Sequence, residues 1–383
     1  MRFKDIPNYD EVKNRLIASF TKERVGHSLL FLGDEGSPAL SIAISFAQYL
    51  SCESKTTNDS CGECRSCVKF LKYAHPDLHF YYPTATSKKV PKKARSQHYA
   101  SEWRKFLTEN KYSSLNDWLT YMDADKKQAI IPTDDSLQVI KDLSLKSFES
   151  PYRFAIIWLP EKMNVHSSNR LLKIIEEPPE NVFFFLVTEN QESILPTILS
   201  RTQIVRIGKM ENEVMNAWLS NEYNEKNESE RAFAMKYAEG NPLKAIESLK
   251  KKADHTELSE KFVEWARMCF IMHKKLPELL DWCDQMASET RSSQRDFMLY
   301  GLDFFRAGLL NNHQSSDLLH LFPEEEVHVK NFSSLLNLEN IPKLVEEFDT
   351  ALANLNRNAN AKILFMQLSG HFGKLINPKN VNL

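Results

Sequence analysis

Two stretches of this sequence hold residue types that do chemistry. The first is Gly33-Asp34-Glu35-Gly36-Ser37-Pro38-Ala39-Leu40-Ser41. A short apolar run, Ser28-Leu29-Leu30-Phe31-Leu32, leads in and reads as a buried parallel strand. An apolar-periodic run, Ala39 to Leu50, leads out and reads as a helix. Strand, Gly-containing turn and helix are the frame of a phosphate-binding loop, G-x-x-x-x-G-K-[ST]. Gly33 stands at the first glycine, but the G-K-[ST] end reads Pro38-Ala39-Leu40. Pro38 has no backbone N–H to give a phosphate. Ala39 lacks the ammonium for the β- and γ-phosphates, and Leu40 lacks the hydroxyl for magnesium. The helix start survives, with Ser37 expected as the N-cap and Pro38 as the first helical residue. On the loop alone, an ordinary strand-turn-helix fits as well.

The second stretch is C-x8-C-x2-C-x2-C, from Cys52 through Cys61 and Cys64 to Cys67. Ser60, Gly62 and Ser66 are small and let the chain wrap an ion. Four thiolates suit a closed tetrahedral zinc site, which is structural because no position is left for water. Free thiols, a redox C-x-x-C pair and a nucleic-acid-binding ribbon are the competing readings. A redox pair needs two cysteines, not four, and Arg65 and Lys69 are too few to argue for nucleic acid.

The elements that must position these stretches alternate. Leu78 to Tyr82, Phe154 to Leu159, Val182 to Val187 and Gln203 to Ile207 read as further strands, with helices between them. Strands alternating with helices predict a five-stranded parallel sheet covered on both faces, an α/β domain over 1–207. One helix is expected from Thr133 or Asp134 to about Phe148, with Leu137, Ile140, Leu143 and Leu145 on its inner face. Residues 84–130 read as an insertion. It opens on the basic run Lys88 to Arg95, read as a solvated loop, and continues with Trp103, Phe106, Leu107, Trp118 and Met122 on short helices. From about 208 the strand signal stops, and from 254 to 383 every periodic stretch is helical.

Charge is nearly balanced, with 49 basic and 51 acidic residues, so no global field draws the chain to nucleic acid or membrane. No apolar run reaches the ~18 residues of a membrane span. The N-terminus does not read as a signal peptide, so a cytoplasmic, reducing setting is expected.

Ser168-Asn169-Arg170-Leu171-Leu172-Lys173-Ile174-Ile175-Glu176-Glu177-Pro178-Pro179 resembles the N-x-L-L-K-x-[LI]-E-E-P-P signature of the bacterial DNA polymerase III clamp loader, an AAA+ family. Leu195-Pro196-Thr197-Ile198-Leu199-Ser200-Arg201-Thr202 is similar to its L-P-T-I-x-S-R-C, with Thr202 in place of cysteine. The cysteine spacing is similar to the family's inserted zinc module, and Gly240-Asn241-Pro242-Leu243-Lys244-Ala245 to its lid motif. The resemblance implies an AAA+ core over 1–207 with the zinc module at 52–67, a helical lid over 208–252 and an all-α collar over 253–383. It implies a soluble partner set of γ/τ motor and delta subunits, a sliding clamp and primer-template DNA, with no membrane.

Two kinds of subunit fit, an ATP-hydrolysing γ/τ-type motor and a non-hydrolysing one. In the motors, the third strand ends in an Asp-Glu pair that holds magnesium. Here Trp158 and Leu159 fall at that pair, with Glu161 shortly after. The loop residues Gly33, Gly36, Pro38, Ala39 and Leu40 then form a degenerate phosphate loop, no ATP is expected, and structural zinc is the one cofactor. The resemblance makes Arg201 an arginine finger for a neighbouring subunit's ATP site, against the plainer reading of a surface arginine paired with a carboxylate such as Glu192. Thr188 falls at a polar sensor position and Lys244 at a basic sensor position. A free-standing zinc-dependent nucleic-acid-binding protein is a third reading, which the charge balance opposes.

Overall fold

Five short runs rich in Leu, Ile, Val and Phe pair into one parallel sheet. They are β1 (Ser28–Gly33), β2 (Leu78–Tyr81), β3 (Arg153–Trp158), β4 (Val182–Thr188) and β5 (Gln203–Ile207), in the order β2-β3-β4-β1-β5. Every residue of β3 and β4 is buried, as expected of strands covered on both faces. The computed structural model describes residues 1–124, 127–250, 252–312, 323–357 and 359–377.

The helices around the sheet are α1 (Asp10–Thr21), α2 (Ala39–Ser51), α3 (Arg65–Leu71), α4 (Ala100–Glu109), α5 (Leu115–Tyr121), α6 (Thr133–Ser144), α7 (Val165–Glu176), α8 (Pro196–Leu199) and α9 (Asn212–Glu222). α2 is buried along its whole length, and its polar stripe is satisfied inside: Ser41 donates to the Lys111 carbonyl, Ser45 to the Met1 carbonyl and Gln48 to Ser60 Oγ. Two expectations need correction. Ser37 does not cap α2. The Pro38 carbonyl takes the first helical N–H, from Ile42 at 2.8 Å, and the Ser37 N–H closes a turn onto the Asp34 carbonyl. The helix expected to reach Phe148 ends at Ser144. Its inner face is Ser136, Val139, Ile140 and Leu143, while Leu137 and Leu145 are exposed. The buried Asp77 carboxylate accepts the N–H groups of Phe148, Glu149 and Ser150, which takes those residues out of any helix.

The chain divides into two units. Unit 1 is residues 1–223 with 238–246, and unit 2 is 224–237 with 247–383. Helices α10 (Glu228–Ala238) and α11 (Pro242–Lys250) fall at these boundaries. The rest of unit 2 is α12 (Lys252–Phe270), α13 (Met272–Ser288), α14 (Arg291–Asn312), α15 (Pro323–Ser333), α16 (Ile341–Asn356) and α17 (Ala361–Ile376). They close on an aromatic core that includes Phe262, Trp265, Phe297, Phe348 and Phe372. The Trp265 indole N–H donates to Ser369 Oγ at 2.8 Å, so burying it does not strand that donor. Among the described residues, no helix is long and apolar enough to cross a membrane.

Candidate functional site

The chain leaves β1 toward β2 at one edge of the sheet, and leaves β4 toward β5 on the far side of β1. Connections that diverge from neighbouring strands open a crevice at their carboxyl ends, where open α/β sheets bind ligands. The Gly33–Ser41 loop follows β1 into this crevice, and Glu189 follows β4. The remaining cavity is about 20 Å³, bounded among others by Gly33, Gly36, Ala39, Trp158, Thr188 and Glu189. That is room for about one water. A small-molecule site runs from about 300 Å³ upward.

The side chains there have the wrong chemistry for phosphate and magnesium. Trp158 is 3% exposed, and its ring lies 5.3 Å from that of Trp103 in the insertion. Leu159 turns the chain with φ of 55° and is buried. Neither position offers a carboxylate to a metal. Glu161 is turned away into a local network, accepting from Thr188 Oγ1 at 2.9 Å and from the Glu189 N–H at 3.3 Å. That gives Thr188 a structural partner in place of a phosphate. Burial pushes the Glu189 carboxyl up to about 8, and the neighbouring charges of Glu35 and Glu161 add to it. The crevice holds carboxylates where a triphosphate needs cations.

This carboxyl makes stability depend on pH. Its folded pKa lies above the ordinary glutamate value of about 4.3, so the folded form binds the extra proton between the two. The contribution is full below the unfolded value and is lost as pH rises through about 8. Glu189→Gln is therefore expected to stabilise the chain at pH 9 by about 2–4 kcal/mol and to change little at pH 5. Melting curves at the two pH values read the difference, and equal shifts at both would contradict it.

The Gly240–Ala245 segment packs on the loop from within unit 1. Asn241 Nδ2 donates to the Glu35 carbonyl at 2.6 Å, and its Oδ1 accepts from the Leu243 and Lys244 N–H groups, capping α11. Gly36 has φ of 76°, and a Cβ there would land on Leu243. Gly36→Ala is expected to cost about 2–4 kcal/mol, read as a shift of the denaturant midpoint. Lys244 is exposed.

The four cysteines meet as a group. Their sulfurs all lie within 4.8 Å of one another. Cys61 Sγ is 3.5 Å from Cys52 Sγ and 3.9 Å from Cys67 Sγ, close to the roughly 3.8 Å edge of a zinc–thiolate tetrahedron. Backbone N–H groups of Glu63 and Cys64 donate to Cys61 Sγ and bring that thiol down to about 6. Burial pushes the Cys67 thiol up, and a cation would reverse that. Donor type, number and spacing all fit zinc.

Arg201 follows α8 and is exposed. Its Nε and Nη2 engage Glu176 as an ion pair, and Nη1 donates to the Thr197 carbonyl at 2.9 Å. The carboxylate partner is thus Glu176, not the expected Glu192. Glu176 belongs to the E-E-P-P motif, so the two signature motifs meet here. The basic run Lys88 to Arg95 is exposed in part, with Lys89 paired to Glu102 and Arg95 to Asp134. Sequence reasoning missed Glu189 and the packing of the insertion, neither of which has a local signature, and it missed that Glu176 of the E-E-P-P motif is the partner of Arg201.

Residues 9–211 match the family described as DNA polymerase III, delta subunit. That is more than half of the 383 residues, and the chain belongs to this family. Its relatives within the family include delta′ subunits, which point to the delta′ type. The chain is 28% identical over 192 residues to DNA polymerase III subunit delta′ of Bacillus subtilis, covering 50% of this chain and 45% of that one. It is 28% identical over 234 residues to the delta′ subunit of Escherichia coli, covering 61% and 57%. It is also 26% identical over 200 residues to subunit gamma/tau of Mycobacterium bovis, covering 52% and 27%. The chain thus spans about half the length of the delta′ relatives it matches.

Proposed function

We propose that this chain is a non-hydrolysing, delta′-type subunit of a DNA polymerase III clamp loader. It assembles with γ/τ-type motor and delta subunits to place a sliding clamp on primer-template DNA. Its division of labour is an AAA+ core over 1–207 with a zinc module, a lid over 208–252 and a collar over 253–383. It lends Arg201 to a neighbour's ATP site.

One observation carries the reading. The crevice keeps the frame of a nucleotide site, and around the Gly33–Ser41 loop it has neither the space nor the cations for a triphosphate. Lysine, hydroxyl and metal carboxylates are replaced at Ala39, Leu40, Trp158 and Leu159, two places far apart in sequence and together in space. The buried carboxyls of Glu161 and Glu189 offer a phosphate no cation in their place. The γ/τ relatives share this region of fold, and a motor would need the missing groups. Purified protein is expected to bind zinc, to show no measurable ATP affinity, and to co-assemble with a γ/τ-type subunit. Micromolar ATP binding by the isolated chain would overturn the non-hydrolysing role.

A further inference from the structure

The insertion reaches the crevice. The Tyr73 hydroxyl donates to the Leu107 carbonyl at 3.1 Å. Ser41 Oγ, at the start of α2, donates to the Lys111 carbonyl at 2.9 Å. Leu107, Asn110, Lys111 and Ser113 line the small cavity together with Gly33 and Gly36. Tyr112 is 5% exposed, and its ring meets Trp218 of α9 edge-on at 5.4 Å. Lys111 pairs with Glu222, also of α9, at 3.7 Å. Tyr9, at the start of α1, is buried close to Tyr112, and burial together with Tyr9 pushes the Tyr112 hydroxyl well up. Higher in the insertion, Trp103 covers Trp158 at the end of β3.

We propose that residues 107–113 are the resident ligand of this crevice, an internal segment that fills a nucleotide's place and ties α1, α2 and α9 to one another. The proposal rests on the reading of the crevice as one that binds no nucleotide. A nucleotide would offer a planar ring and a chain of acceptors to such a site. The segment offers the carbonyls of Leu107 and Lys111 to the crevice and, beside it, the Tyr112 ring against Trp218. Carbonyls accept hydrogen bonds without carrying a full negative charge. They need no lysine, no metal and no cradle of N–H groups, so Pro38, Ala39 and the three glutamates are all tolerated. An aromatic side chain in such a position buries about 150–250 Å² and dominates the local packing. The closed arrangement of the crevice is then permanent and indifferent to ATP.

Hydrogen exchange on the 383-residue chain tests this. Tyr112→Ala is expected to speed exchange in α9 and in the first turn of α1 by at least about tenfold, with β1 and β4 unchanged. Tyr112→Phe keeps the ring and is expected to behave as the parent. Should Tyr112→Ala lose the fold, Tyr112→Leu, which keeps apolar bulk, reads the same exchange. Unchanged exchange in α9 would overturn the proposal. A second measurement separates it from the parent reading. The loop variant Pro38→Gly/Ala39→Lys/Leu40→Thr, with the insertion intact, is expected not to bind a fluorescent ATP analogue. Binding by that variant would refute the internal ligand while leaving the non-hydrolysing role standing. Binding by the unaltered chain would refute the non-hydrolysing role itself.

Discussion

Arg201→Ala is expected to lower the DNA-stimulated ATPase of a reconstituted complex by about 10³–10⁵-fold, with folding and assembly intact. An arginine finger supplied in trans stabilises charge that develops on the transferring phosphoryl group. Its planar fork presents two N–H donors at once, which a lysine cannot copy, so Arg201→Lys is expected to rescue little. The position suits the task, since the side chain is 35% exposed and is held by one carboxylate and one carbonyl. The plainer reading has a different size. An exposed pair such as Arg201–Glu176 is worth about 0–1 kcal/mol, so its loss alone would leave the neighbour's ATPase untouched. An Arg201→Ala complex with normal ATPase and normal clamp loading would leave only that plainer reading.

Removing the metal is the second large effect. One zinc per chain is expected, and Cys61→Ser or Cys67→Ser should each abolish it. Structural zinc contributes about 10–16 kcal/mol in small finger peptides, where folding and binding are one event. Here the sheet has its own core, so the loss should be local at first. It should nevertheless spread. Phe70, one turn after Cys67, packs on His75 with ring centroids 4.6 Å apart and meets Phe154 of β3 edge-on at 6.2 Å. On the other side, Arg2 Nη1 donates to the Cys61 carbonyl, and Asp59 accepts from the Phe3 and Lys4 N–H groups. Chelation should therefore lower the melting temperature and expose α3 and residues 1–6 to protease. Metal analysis with no zinc, or a melting temperature that ignores a strong chelator, would count against the site.

The sheet was legible because buried parallel strands are continuous apolar runs. Phe154 to Trp158 and Val182 to Val187 have no competing period. The cysteine site was legible because its ligands are close in sequence. The failures came from partners the local pattern does not specify, some of them far along the chain. Nothing near Ser144 says that Asp77 will draw Phe148, Glu149 and Ser150 out of a helix. Ser37 has the right chemistry for a cap, but its N–H turns back onto Asp34 and the helix starts from Pro38. The loss of phosphate chemistry could be read from Ala39 and Trp158. What fills the space could not, because the link from Ser41 to Lys111 spans 70 residues. The same holds for Arg201 and Glu176, each part of a recognisable motif, whose meeting only the fold discloses.

Unit 1 is discontinuous, closing only with residues 238–246. That late segment brings Asn241 and Leu243 onto the loop around Gly36. On the ribosome, the five strands are all synthesised before this closing piece exists. At about 5–20 residues per second, the loop stays uncovered while the 206 residues from Glu35 to Asn241 are made. The order of synthesis thus separates the sheet from its cover in time. No single cut in the chain can release either unit whole.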